Sequence, residues 1–215
     1  MSSNAEPYLL VDGPEGAKST MLLAHGAGAA MDSSFLARAA AGLAARGIRV
    51  VRFEFPYMAR RRTEGRRGAP DREPVLRESW TGMVDRFGGG RQVVIGGKSL
   101  GGRIASMIAD EVGARGLVCF GYPFHPPGDK SRLRTKHLET LRTPALILQG
   151  ERDAFGDRAD VENYTLSPAI RIRWIAAGDH SFKPPAISGS TEAGNVEEAI
   201  DAAGEFIEAL PGPSG

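Results

Sequence analysis

The chain has a single cysteine, Cys119, so no intrachain disulfide can form, and a compartment that keeps thiols reduced is expected. Neither sign of charge dominates, because 27 Lys and Arg stand against 26 Asp and Glu for a net charge of +1. That balance gives no global pull toward nucleic acid or a membrane surface, and any electrostatic steering has to be local. No apolar run approaches the roughly 20 residues of a membrane span, and no internal repeat is apparent. The opening Met1-Ser2-Ser3-Asn4-Ala5-Glu6-Pro7 lacks the basic and apolar regions of a secretory signal, so the cytoplasm is the expected location. At 215 residues the chain is long enough for one well-buried domain and short for two.

What is present is an alternation of short apolar strands with helical patterns, which predicts an α/β fold around a mostly parallel sheet. Strands are expected at residues 8–11, 21–24, 48–53, 93–96, 116–120, 145–149 and 170–175. A helix is expected over 32–46, capped by Asp32 or a neighbouring serine and stopped by Gly47, and another over 100–112. The last helix has Asn195 and Glu198 as its expected capping box, with Val196, Ala199, Ile200, Ala203, Phe206, Ile207 and Leu210 on one face. Two stretches break the rhythm. Residues 56–74 carry Arg60, Arg61, Arg62, Arg66, Arg67 and Arg72 among glycine and proline and read as a loop or small lid; residues 183–194 read as a surface loop. The domain is expected to span 8–210, with disordered ends at 1–7 and 211–215.

The most informative motif is Gly97-Lys98-Ser99-Leu100-Gly101. The β-branched run before it and the helical spacing of Leu100, Ile104, Met107, Ile108 and Val112 after it put Ser99 on a strand-to-helix turn. Such a turn pushes Oγ out above the sheet, and the flanking glycines remove Cβ atoms that would collide there. Two rival motifs fail on spacing. A phosphate-binding loop needs a glycine where Gln92 stands, and Gly26-Ala27-Gly28 lacks the third small residue of a dinucleotide fingerprint because Met31 occupies its place.

A serine hydroxyl needs a base, and the base needs an orienting group. His180, in the loop after the last expected strand, is the candidate base. Asp153, after Gln149-Gly150, is the candidate acid, with Glu151 the alternative; Asp157 and Asp160 suit the start of the next helix. Backbone N–H groups of Ala27 and Leu100 are the candidate oxyanion donors. His25 reads as a brace for the loop His25-Gly26-Ala27-Gly28. Tyr57, Met58, Lys98 and His125 are candidate substrate contacts; an ammonium at Lys98 would favour an anionic substrate, the alternative being a solvated or salt-bridged lysine. His137 is expected to be exposed and Cys119 to be a small core residue.

With these residues in place, the chain resembles the α/β-hydrolase superfamily over nearly its full length. More narrowly, it resembles the small bacterial hydrolase-like proteins related to testis-expressed proteins and to a subunit of the NSL chromatin complex. The motifs that carry this are His25-Gly26-Ala27-Gly28, Phe53-Glu54-Phe55-Pro56-Tyr57-Met58 followed by arginines, Gly96-Gly97-Lys98-Ser99-Leu100-Gly101-Gly102-Arg103, Gln149-Gly150-Glu151-Arg152-Asp153 and Gly178-Asp179-His180-Ser181-Phe182. A small-molecule acyl substrate and no metal are expected from the residues, and the resemblance implies a serine hydrolase with a single-domain α/β-hydrolase fold, no large inserted cap and no obligatory cofactor. It implies no particular substrate. A looser similarity to dienelactone hydrolases is weakened by Ser99, which stands where those carry cysteine. The function expected is a serine hydrolase; the alternative from another class is a binding or scaffolding module on a hydrolase fold.

Overall fold

In the computed structural model, which describes residues 8–65 and 68–213, seven strands build one sheet. They are β1 (Leu9–Asp12), β2 (Thr20–Ala24), β3 (Arg49–Phe53), β4 (Val93–Lys98), β5 (Gly116–Phe120), β6 (Ala145–Gly150) and β7 (Ile170–Ile175), in the order β1-β3-β2-β4-β5-β6-β7. Only β1 runs antiparallel, along β3 at one edge. β5 and β6 are buried at every position, as expected of parallel strands covered on both faces, whereas edge strand β7 alternates half-buried and exposed residues.

Among the described residues six helices flank the sheet: α1 (Ser34–Ala45), α2 (Pro56–Glu64), α3 (Glu73–Arg86), α4 (Leu100–Ile108), α5 (Arg158–Val161) and α6 (Glu192–Ala209). α1 and α6 pack Leu36, Ala39, Leu43, Ala199, Ile200 and Ile207 against Val50, Val94, Val118 and Leu148 on one face. Gly42 permits their close approach, since a Cβ there would lie 2.6 Å from Ile200 Cγ2. α3 and α4 pack Leu76, Trp80, Ile104 and Ile108 against the opposite face. Trp80 meets Phe53 edge-on at 4.7 Å and donates its indole N–H to the Gly101 carbonyl at 3.3 Å, tying α3 to the first turn of α4. Because α1 leaves β2 on one face and α4 leaves β4 on the other, the paired ends Ala24 and Gly97 mark a topological switch point. Open α/β sheets bind ligands at that place.

All seven expected strands form, but three expectations change. The arginine-rich stretch expected as a loop or small lid contains α2, entered by Pro56 at its first turn and ended by Gly65 in the left-handed conformation, φ 68°. α3 was not foreseen, although Leu76, Trp80, Met83 and Val84 recur at helical spacing along its buried face. α6 begins at Glu192, capped by the Thr191 hydroxyl accepting from Gly194 N–H at 3.0 Å rather than by an Asn195–Glu198 box. Asn195 is instead buried one turn into the helix, where its amide serves tertiary contacts. The expected disorder at 1–7, Arg66, Arg67 and residues 214–215 lie outside the described residues.

Candidate active site

β4 delivers Ser99 to the carboxyl edge of the sheet, and α4 begins at the next residue. Ser99 sits at φ 51°, ψ −111°, a conformation few non-glycine residues adopt and one that persists only where the surroundings impose it. The elbow is as tight as the motif predicts. A Cβ at Gly97 would lie 2.5 Å from the Ala24 carbonyl oxygen, and one at Gly101 would lie 2.6 Å from the same atom.

His180 and Asp153 arrive from the loops after β7 and β6. The Ser99 hydroxyl lies 2.9 Å from His180 Nε2, and His180 Nδ1 lies 2.7 Å from Asp153 Oδ2. The acceptor-only carboxylate assigns the proton to Nδ1, which leaves Nε2 to accept from the serine hydroxyl. Asp153 is fully buried, and its other oxygen accepts Phe155 N–H at 2.8 Å. Gln149, unforeseen from the sequence, donates to Asp153 Oδ2 at 2.9 Å and to the Gly156 carbonyl at 3.0 Å, while its own oxygen accepts Tyr122 N–H at 2.7 Å. Glu151, the alternative acid, faces elsewhere: it pairs with Arg158 at 3.1 Å and accepts Ala177 N–H at 2.9 Å.

Asn195 on α6 fastens the loop that carries His180, donating to the Ala176 carbonyl at 3.0 Å and the Phe182 carbonyl at 2.8 Å. Ala177 and Phe182 in that loop hold positive φ of 52° and 68°, so its path is imposed rather than relaxed. The Phe155 ring covers the imidazole at 4.2 Å between centroids.

The loop after β2 supplies the facing wall. His25, fully buried, donates from Nδ1 to the Gly26 carbonyl at 2.7 Å and accepts Phe55 N–H on Nε2 at 3.1 Å. Burial holds its pKa below the usual histidine value, so it braces the loop as a neutral ring. The Tyr57 hydroxyl donates to the Gly26 and Ala27 carbonyls at 3.3 and 3.1 Å. In a trans peptide the Gly26 carbonyl and the Ala27 N–H point oppositely, so tethering that carbonyl to His25 and Tyr57 turns Ala27 N–H away from both. Leu100 opens α4, where the first N–H groups of a helix have no intrahelical acceptor and form the positive end of its dipole.

A cleft of about 430 Å³ opens over Ser99, lined by Gly26, Ala27, Phe35, Leu36, Lys98, Phe155 and His180 among others. Of the four expected substrate contacts, only Lys98 lines it. Tyr57 is buried and braces the loop behind Ala27; Met58 lines a neighbouring hollow of about 250 Å³ with Gly28, Asp32, Arg61 and Arg62. His125 is buried too, donating from Nδ1 to the Pro126 carbonyl at 2.8 Å while its N–H holds the Phe155 carbonyl at 3.1 Å, so it shapes the wall without touching the cleft. His137, expected to be exposed, is half-buried beside Ser106 Oγ at 2.8 Å, and burial pulls its pKa down to about 4. Cys119 is a buried core residue. A larger hollow of about 870 Å³, lined by Lys18, Arg46 and Arg115, opens at the other edge of the sheet, remote from Ser99. Among the described residues no three His, Cys, Asp or Glu side chains are grouped to hold a metal ion, and no helix is long and apolar enough to cross a membrane.

The family model for the alpha/beta hydrolase domain matches residues 17–208. The chain belongs to the alpha/beta hydrolase family. Solved structures of similar fold include a dienelactone hydrolase from Anabaena variabilis, with a TM-score of 0.72 and 21% identity over 94% of this chain and 91% of that one. An alpha-beta serine hydrolase homologue from Coxiella burnetii matches with a TM-score of 0.67 and 18% identity over 94% and 91%. An α/β serine hydrolase without a lid from Xanthomonas campestris matches with a TM-score of 0.66 and 19% identity over 94% and 90%. At such identities the likeness is one of fold. The acidic Glu54 that a dinucleotide site would require is buried and paired with Arg62 at 2.7 Å. The narrower resemblance to testis-expressed and NSL-related proteins rests on the sequence motifs alone.

Proposed function

We propose that this hydrolase cleaves an ester or related acyl bond of a small molecule through an acyl-enzyme intermediate. The observation that carries the reading is the continuous hydrogen-bonded line from Ser99 through His180 to buried Asp153, with its serine end open to a cleft. As the Ser99 Oγ–carbon bond forms, the hydroxyl proton passes to His180 Nε2 and the carbonyl electrons become an oxyanion. Ala27 and Leu100 N–H groups receive that charge, and the end of α4 adds its dipole. Asp153 stabilises the imidazolium, which gives its proton to the departing alcohol as the carbon–oxygen bond breaks. Water then attacks the acyl carbon while His180 takes its proton, and as the bond from that carbon to Ser99 Oγ breaks, the imidazolium returns the proton to Oγ and the acid leaves. No step calls for a cofactor or metal.

The cleft wall of Phe35, Leu36, Phe155 and alanines suits an apolar acyl group of modest size. The direct test is covalent. A fluorophosphonate probe should place one label on the native protein and none on Ser99→Ala, with a normal thermal melt for both. Equal labelling of the Ala variant would remove Ser99 from the chemistry, and failure of the native protein to label would favour a binding or scaffolding role.

A further inference from the structure

Lys98 is, from the sequence, a candidate substrate contact or else a solvated or salt-bridged lysine, but its ammonium has a different partner: Nζ donates to the backbone carbonyl of His180 at 2.6 Å. The bond spans 82 residues of sequence and connects the immediate neighbour of the nucleophile to the backbone of the base. It is enclosed. Phe35 and Phe182 place their rings 5.7 and 6.0 Å from Nζ, within cation–π range, and Gly121 passes beneath, where a Cβ would sit 2.8 Å from Nζ and 2.9 Å from the His180 oxygen. Gly121 holds φ 67°, so both its backbone conformation and its missing side chain make room for this contact.

We propose that Lys98 is a positioning residue whose charged hydrogen bond to the His180 carbonyl holds the imidazole at bonding distance from Ser99. The inference rests on the hydrolase reading above. Its physical basis is that His180 is carried by a loop rather than a rigid element, and a displacement of about 1 Å in a reacting group can cost on the order of 100-fold in rate. Asn195 holds the loop at Ala176 and Phe182, to either side of His180, whereas Lys98 holds His180 itself.

The tether has a pH limit. Burial strips water from the ammonium and lowers its pKa to about 8, against the opposing pull of the Asp153 and Asp179 carboxylates. Asp153 follows β6, Asp179 and His180 belong to the loop after β7, and Phe35 of α1 and Phe182 present only carbon to the group. A charged donor bonds roughly twice as strongly as a neutral one. The hold is therefore complete below the Lys98 pKa and weakens as pH rises through it.

The test uses Lys98→Ala, which removes the side chain from Cγ to Nζ and leaves a space shaped for propylammonium. The expected result on a neutral ester at pH 7 is a kcat reduced about 10- to 100-fold with KM little changed, restored in part by propylammonium but not by equal concentrations of potassium or propanol. The native enzyme should lose kcat as pH rises past about 8, and Lys98→Ala should lack that descending limb. Fluorophosphonate labelling separates this inference from the reading beneath it. If the native protein labels at Ser99 and Lys98→Ala labels as fast, the tether has no positioning role while the hydrolase stands; if the native protein does not label, the hydrolase reading fails. A variant whose lost activity propylammonium does not restore, or whose alkaline limb persists, overturns the proposal.

Discussion

Gln149 and His180 donate to the same oxygen of Asp153, at 2.9 and 2.7 Å. The buried carboxylate is thus aimed from two sides, and its role depends on both oxygens being acceptors. Asp153→Asn substitutes an amide that can offer N–H where His180 also offers N–H, so the favoured imidazole orientation is lost. The expected cost is on the order of 10⁴ in kcat with little change in KM. Glu151→Gln should leave kcat within a few-fold of native, since that carboxylate serves Arg158 and Ala177. Steady-state kinetics on both variants decide the matter; the reverse pattern would make Glu151 the acid.

Tyr57→Phe removes the hydroxyl that holds the Gly26 and Ala27 carbonyls and keeps the buried ring. Deleting an oxyanion donor outright costs about 100- to 1,000-fold, and here the donor remains but one of its two braces is gone. A fall of about 10-fold in kcat at unchanged KM for a neutral ester is expected. A change in KM alone would return Tyr57 to the role of substrate contact.

Acid should destabilise the fold through His137, whose pKa burial lowers from 6.5 to about 4. The unfolded chain then binds a proton that the folded chain refuses over that interval, so the stabilising contribution is present above about pH 6.5 and is lost as pH falls toward 4. His25, also lowered by burial, acts in the same direction. Thermal melts between these limits should show Tm falling with pH, and His137→Gln should flatten that slope. An unchanged slope would show that His137 titrates as a free histidine.

Of the three consecutive arginines on α2, Arg60 pairs with Asp71, and Arg62 with Glu54 at 2.7 Å and Asp32 at 3.0 Å. Arg61 has no ion-pair partner among the described residues and lines the hollow that shares Gly28 with the cleft. Arg61→Gln should therefore raise KM several-fold for a carboxylate-bearing ester and leave a neutral ester unaffected. The difference should fade as salt shortens the Debye length, about 10 Å at 0.1 M. Equal effects on both esters would leave Arg61 as solvated surface. Arg62→Gln should act on stability instead, because it strands the buried Glu54 carboxylate.

The helix over 56–64 escaped sequence reading because only Tyr57 and Met58 on it are buried, too few to make a periodic stripe against so many arginines. The cap of α6 was misplaced for a related reason. Asn195 has the residue type of a cap, yet its amide is committed to two carbonyls of another segment. Local preference yields when a buried polar group finds tertiary partners.

By itself, the sequence determined the α/β class, the strands, the elbow at Ser99 and the edge at which Ser99, Asp153 and His180 would emerge. The reason is geometric: parallel strands joined by right-handed crossovers put every loop that follows a strand at one edge, so residues just past β4, β6 and β7 share that edge whatever their distance in sequence. Only the tertiary structure decided which side chains face the cleft. It turned Tyr57 and His125 inward as braces, set Gln149 behind Asp153, and carried the Lys98 ammonium to the His180 carbonyl. Such contacts depend on side-chain direction across separate βα units, and no periodicity of the chain records that direction.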